Sequence, residues 1–131
     1  LLCRVNLLVT AAVFFIYGVP AAFDPAFVAP VLGVSIDAAN GAVSIRAIYG
    51  GYLIGAGLIF FAAAMARPYL RSGLFALLLI VSPILVARCA GLLVEQYISV
   101  DQLFRAVMEA ASIAVTGVLL GLSSENASDQ T

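Results

Sequence analysis

Four apolar runs, each close to twenty residues long, occupy most of this chain, and a run of that length has few ways to fold. About 20 apolar residues in an α-helix cover the roughly 30 Å of hydrocarbon in a bilayer and satisfy every backbone N–H and C=O within the helix. The runs fall at about 1–19, 44–66, 69–94 and 100–122. Pro20 closes the first and Pro68 follows the second, since proline lacks the N–H that would continue a helix. Only Arg67–Pro68 and Glu95–Ser99 separate the second, third and fourth runs, which must therefore pack as antiparallel neighbours. The expected fold class is all-α, an integral membrane four-helix bundle with both termini on one side. Residues 1–122 form the membrane domain and 123–131 a polar, frayed tail.

Composition narrows the function classes. The chain is 64% hydrophobic and 10% charged, against roughly 25% charged in soluble domains. A net charge of −1 supplies no basic field for nucleic acid, so none is expected as a partner. Histidine is absent, which removes the commonest general base, the usual haem and zinc ligand and the His-centred triads. No catalytic residue, metal site or cofactor is read from the sequence. Cys3 and Cys89 form no CxxC pair and read as small apolar thiols in helices, too far apart across the bilayer to form a disulfide. Arg4 and the apolar run after it have the outline of a signal peptide, but three more spans follow, and the segment is read as the first of four. What precedes Leu1 is left open.

The connection at 20–43 differs from the other two. Pro20, Pro25 and Pro30 punctuate it, and its "AFVAPVLGV" is too apolar for a free loop and too short to span, so it is expected along the interface or over the bundle. "DAANG" at Asp37 to Gly41 reads as a polar turn, with Ser44 as an N-cap for the second span. Arg4, Arg67 and Arg71 share the face of the termini, which the distribution of basic residues assigns to the cytoplasm. Tyr17, Tyr69 and Tyr97 fall at span ends, where aromatic side chains favour the interface.

Charges within the spans are the main functional clue. Arg46, Arg88, Arg105 and Glu109 all lie in the half of the bilayer entered from the outer face, and a charge at helix centre costs at least about 2.5–3.5 kcal/mol. Each should therefore have a partner. An interhelical Arg88–Glu109 contact is favoured over Arg105–Glu109 within one helix, with Arg46 joining and Tyr49 supplying a hydroxyl. Two readings stand side by side: an ion-pair network that fixes helix register, or a cavity whose arginine surplus receives a polar or anionic group. Ala47, Gly51 and Gly55 recur every fourth residue, as do Gly117 and Gly121, and are expected to let helix backbones approach closely. Pro83 should kink the third span below Arg88.

"RAIYGGYLIGAGLIF" after a polar turn, "ARCAGLL" in the third span and a glutamate in the fourth resemble a small bacterial four-helix membrane family catalogued as a domain of unknown function, with an architecture like that of DoxX-type proteins. Arg46, Ala47, Tyr49, Gly50 and Gly51 carry the likeness most specifically, and Arg88, Gly91 and Glu109 match more loosely. The resemblance implies four spans and this charge constellation, and the expected setting is a bacterial inner membrane with both termini cytoplasmic. It implies no reaction.

Three functions follow as expectations. The first is a non-enzymatic accessory subunit or a binder of a polar, anionic or lipid-like ligand, with the lipid bilayer and a larger membrane complex or homo-oligomer as partners. The second is a DoxX-like oxidoreductase acting with quinone or sulfur species, although no haem, flavin or iron–sulfur ligand set is visible. The third is an oligomeric transporter or channel, for which intramembrane Arg and Glu are markers, although no inverted repeat is evident.

Overall fold

The computed structural model describes residues 1–36, 39–96 and 99–128. They form α1 (Leu2–Phe23), α2 (Pro25–Leu32), α3 (Ala39–Ile45), a π-helical segment (Arg46–Tyr52), α4 (Leu53–Met65), a 3-10 turn (Arg67–Tyr69), α5 (Leu70–Glu95) and α6 (Val100–Ser128), with no strand among the described residues. Four stretches are long and apolar enough to cross a membrane: Leu2–Phe23, Asn40–Met65, Arg67–Glu95 and Val100–Ser123. The chain is all-α with four candidate membrane spans. It divides into two compact units, Arg4–Arg67 and Leu1–Cys3 with Pro68–Thr131.

In the Arg4–Arg67 unit, α1 does not stop at Pro20 but continues to Phe23. A proline within a helix removes only one intrahelical bond, and the end is set instead by Asp24. Its N–H donates to the Pro20 carbonyl at 2.8 Å, while its carboxylate accepts the Phe27 N–H at 3.3 Å and so caps α2, with Pro25 opening the new helix. At the far end Gly33 takes φ 71, a left-handed conformation open to glycine at little cost. Its N–H then reaches the Pro30 carbonyl at 3.1 Å, and that of Val34 reaches Ala29 at 3.0 Å, a Schellman closure.

The segment between the first two spans is thus a short capped helix. Val28 and Ala29 of α2 are buried in a cluster with Ala21 and Ile45, flanked by Leu32 and Ile36. Helix α3 is already formed at Ala39, so Ser44 lies inside a helix and is not an N-cap. Asp37 and Ala38 of the expected turn lie outside the described residues, as does Tyr97.

The second span runs antiparallel to α1. Arg4 bonds to Ala64, Phe14 meets Phe60 edge to face with centroids 5.4 Å apart, Gly57 lies beside Phe15, Gly18 beside Leu53 and Ile54, and Gly50 beside Ala22. The close approaches fall at Gly18, Gly50 and Gly57, not at the expected stripe. A Cβ built on Gly50 would stand 2.7 Å from the Ala22 Cα, and one on Gly57 would stand 3.1 Å from the Phe15 ring. By contrast, a Cβ on Gly55 meets nothing within 4 Å, and one on Gly51 meets only the Arg46 carbonyl at 3.9 Å. Ala47 is exposed too. The physical reason is the π-helical segment. Its i→i+5 bonding winds the chain more widely than an α-helix, so a four-residue period read on α geometry does not keep one face. Gly50, Gly57 and Ala64 are buried at intervals of seven instead.

In the other unit, α5 and α6 form an antiparallel hairpin. Helix α5 runs on through Pro83 and ends at Gln96, which takes a left-handed conformation at φ 50. The Ser99 hydroxyl accepts the Gln102 N–H at 3.2 Å and caps α6. Gly73, Leu74, Leu77 and Val81 of α5 and Thr116 and Leu119 of α6 are buried. Among the described residues, a Cβ built on Gly117 or Gly121 would meet no atom within 4 Å, so neither position is the close backbone approach expected of it. Helix α6 also passes the boundary expected at residue 123 and stays helical to Ser128. Once a helix is nucleated, each further residue adds a bond, and Ser, Glu and Asn oppose it by less than about 0.7 kcal/mol each.

Candidate functional site

The polar centre of the α5–α6 unit is built around Arg88. At about 1.5 Å per residue, Arg88 lies about 10 Å in from the end of α5 at Glu95, and Glu109 lies about 13 Å in from the start of α6 at Val100. The guanidinium Nε donates to both Glu109 oxygens, at 3.1 and 2.9 Å, and Nη2 donates to Oε1 at 2.6 Å. This is a forked, charge-assisted pairing, the geometry in which arginine binds carboxylate most strongly.

Gln102 completes the grip. Its Oε1 accepts from Arg88 Nη1. Gln102 is the fourth residue of "SVDQ", a capping-box sequence in which its side chain would ordinarily turn back toward the N-cap backbone. Here the Ser99 half of the box forms, and the Gln102 side chain reaches across to α5. Gln102 carries no charge and so stands outside the charge pattern that marks Arg88 and Glu109. The usable signal was its spacing of seven from Glu109, which places both on one side of a helix.

Arg105 takes a different partner from Glu109. Its Nε donates to Asp101 Oδ2 at 2.9 Å, one turn earlier on the same helix. With the acid N-terminal to the base at i,i+4, this is the more favourable orientation. The arginine surplus expected at this depth therefore disappears within the unit, because Asp101 balances Arg105 and Glu109 balances Arg88.

Arg88 nonetheless has donor capacity left. The Nε–H and one N–H on each terminal nitrogen are used, so one N–H on each terminal nitrogen lacks an acceptor among the described residues. The pair is also incompletely covered, with 21% of the Arg88 side chain and 17% of the Glu109 side chain accessible. The cluster is neutral as a whole and retains hydrogen-bond donors.

Arg46 and Tyr49 belong to the Arg4–Arg67 unit. Arg46 Nη1 donates to the Ala22 carbonyl at 3.1 Å, one of the last carbonyls of α1 and one with no onward helical partner. Arg4 does the same for the other helix: its Nε donates to the Ala64 carbonyl at 2.8 Å and Nη2 to that of Met65 at 3.4 Å, at the end of α4. Each antiparallel helix thus has its negative C-terminal end closed by an arginine from its partner. Tyr49 is exposed on the π-helical segment. Cys3 and Cys89 are both free.

Among the described residues, no group of His, Cys, Asp and Glu is placed to hold a metal ion. The described residues are all-α, with four helices long and apolar enough to cross a membrane and an arginine–glutamate pair joining two of them. The chain belongs to the family described as a domain of unknown function (DUF4345), whose profile matches residues 2–120. No curated protein and no solved structure matches it.

Proposed function

We propose that this chain is a non-enzymatic membrane protein that binds a lipid-like ligand through the Arg88–Gln102–Glu109 cluster. The observation that carries this reading is the pair of Arg88 N–H groups without an acceptor among the described residues, on a guanidinium that is held in place by Glu109 and Gln102 and still 21% accessible to an outside acceptor. Because Glu109 already balances the guanidinium, a head group with neutral acceptors, such as a carbonyl or ether oxygen, suits the cluster better than a free anion.

The setting proposed is a bacterial inner membrane with both termini in the cytoplasm. Arg4, Arg67 and Arg71 near the ends of the spans support that orientation. An accessory-subunit role shares the same site, with a partner's backbone carbonyl as the acceptor.

The test is co-purification. The chain and an Arg88→Gln/Glu109→Gln double variant, which removes both charges together, are isolated in native lipid discs and their small-molecule contents compared by mass spectrometry. A lipid-soluble species retained by the wild type and lost from a monodisperse double variant supports the reading. Identical contents in the two preparations refute it, and an acceptor contributed by a stoichiometric partner protein replaces the ligand with a subunit contact.

A further inference from the structure

A second site, independent of the Arg88 cluster, lies near the opposite end of α5. Arg71, Ser72, Phe75, Ala76 and Leu79 follow one face of α5 and, with Leu120 of α6, line a groove of about 480 Å³. Most of its wall is carbon. The polar groups are confined to the first turn of α5, where Arg71 and Ser72 stand. Arg71 is exposed, and no hydrogen bond or ion pair of its guanidinium or of the Ser72 hydroxyl occurs among the described residues.

We infer that this groove seats an anionic phospholipid, with one acyl chain against Phe75, Ala76, Leu79 and Leu120 and the lipid phosphate on Arg71 and Ser72. The order of the lining residues matches the order of a lipid. The span begins at Arg67, so Arg71 stands within about 6 Å of the membrane-facing end of the helix, at head-group level, while Leu79 lies about 12 Å deeper. A guanidinium presents parallel N–H groups to two phosphate oxygens, and a serine hydroxyl adds a third donor. An arginine that merely anchors a helix needs no trough behind it. Here the apolar concavity continues directly from the charged end, which selects an amphiphile over a free phosphate ion.

The experiment is lipid retention by native mass spectrometry, using the full chain in mixed discs containing equal phosphatidylglycerol and phosphatidylcholine. The wild type should retain phosphatidylglycerol about five-fold over phosphatidylcholine, the discrimination expected of one basic residue near an anionic surface. Arg71→Gln should bring the ratio to about one, and Arg71→Lys should restore part of it. Ala76→Leu, which fills the trough and keeps the charge, should lower retention of both lipids together. Glycerol phosphate, which has the head-group chemistry without chains, should not displace the bound lipid. The proposal fails if Arg71→Gln keeps the preference, if Ala76→Leu leaves retention unchanged, or if glycerol phosphate competes.

Discussion

Arg88 and Glu109 face each other across the α5–α6 hairpin with Nη2 and Oε1 2.6 Å apart, and the carboxylate receives the guanidinium through both of its oxygens. A single helix could not provide this. It depends on the antiparallel register that sets the C-terminal turns of α5 beside the first three turns of α6.

Breaking the pair from one side should be costly. Arg88→Gln leaves Glu109 charged and poorly solvated, and should destabilise the unit by about 3 kcal/mol, the lower end of the range for buried pairs because both side chains retain some accessibility. Replacing both residues, as Arg88→Met with Glu109→Leu, should recover most of that loss. Thermal denaturation in detergent distinguishes these outcomes, and equal destabilisation by the single and double changes would show that the pair itself contributes little.

The glycines should sort by contact and not by spacing. Gly50→Ala forces a Cβ to within 2.7 Å of the Ala22 backbone and should destabilise by about 1–3 kcal/mol. Gly55→Ala, with open space beside it, should be neutral or stabilising by up to about 1 kcal/mol through the better helix propensity of alanine. Melting temperatures of the two variants test the assignment, and a larger loss at Gly55 would contradict it.

The crossed arginine caps predict additive effects. Arg4→Gln and Arg46→Gln each remove a cation from the C-terminal end of a facing helix, at Ala64 and at Ala22 respectively, and each should cost about 0.3–2 kcal/mol. Because they act at opposite ends of the α1 pairing, the double variant should show the sum within about 0.5 kcal/mol. A marked shortfall in denaturation measurements would mean that the two caps share a common contact.

The α2 boundaries give a local test. Gly33→Ala places a Cβ on a residue at φ 71 and should cost about 1–2 kcal/mol, although a Cβ there has no neighbour within 4 Å. Asp24→Ala, which removes the acceptor for the Phe27 N–H, should cost about 1 kcal/mol. Hydrogen exchange at Phe27 and Val34 reads the two ends separately, and unchanged protection in either variant would count against the corresponding cap.

The spans were legible because hydrophobic length is a property of sequence that little else imitates, and the intramembrane acid at Glu109 pointed to Arg88 because few cations share its depth. Other features were hidden for identifiable reasons. The π-helical turn at Arg46–Tyr52 changes the angular period inside an otherwise regular apolar run, so the four-residue glycine stripe named the wrong face while Gly50 and Gly57 made the contact. Pro20 looked like a stop, but the bond it removes did not end the helix, which the Asp24–Pro25 pair closes instead. Asp101, one turn before Arg105, is an i,i+4 partner whose pairing leaves Arg88 and Arg105 both balanced within the α5–α6 unit, and with it goes the cationic surplus an anion pocket would need there. Arg46 drew attention as a charge in need of an acid, whereas its acceptor is a neutral carbonyl at the end of α1.

The most direct test of the proposed ligand site is a density map of the chain in its native bilayer at a resolution that defines the Arg88 side chain. Non-protein density contiguous with the acyl region is expected, with an acceptor atom about 3 Å from Arg88 Nη1 or Nη2. A map in which both nitrogens are satisfied by this chain's own backbone or by isolated water would contradict it.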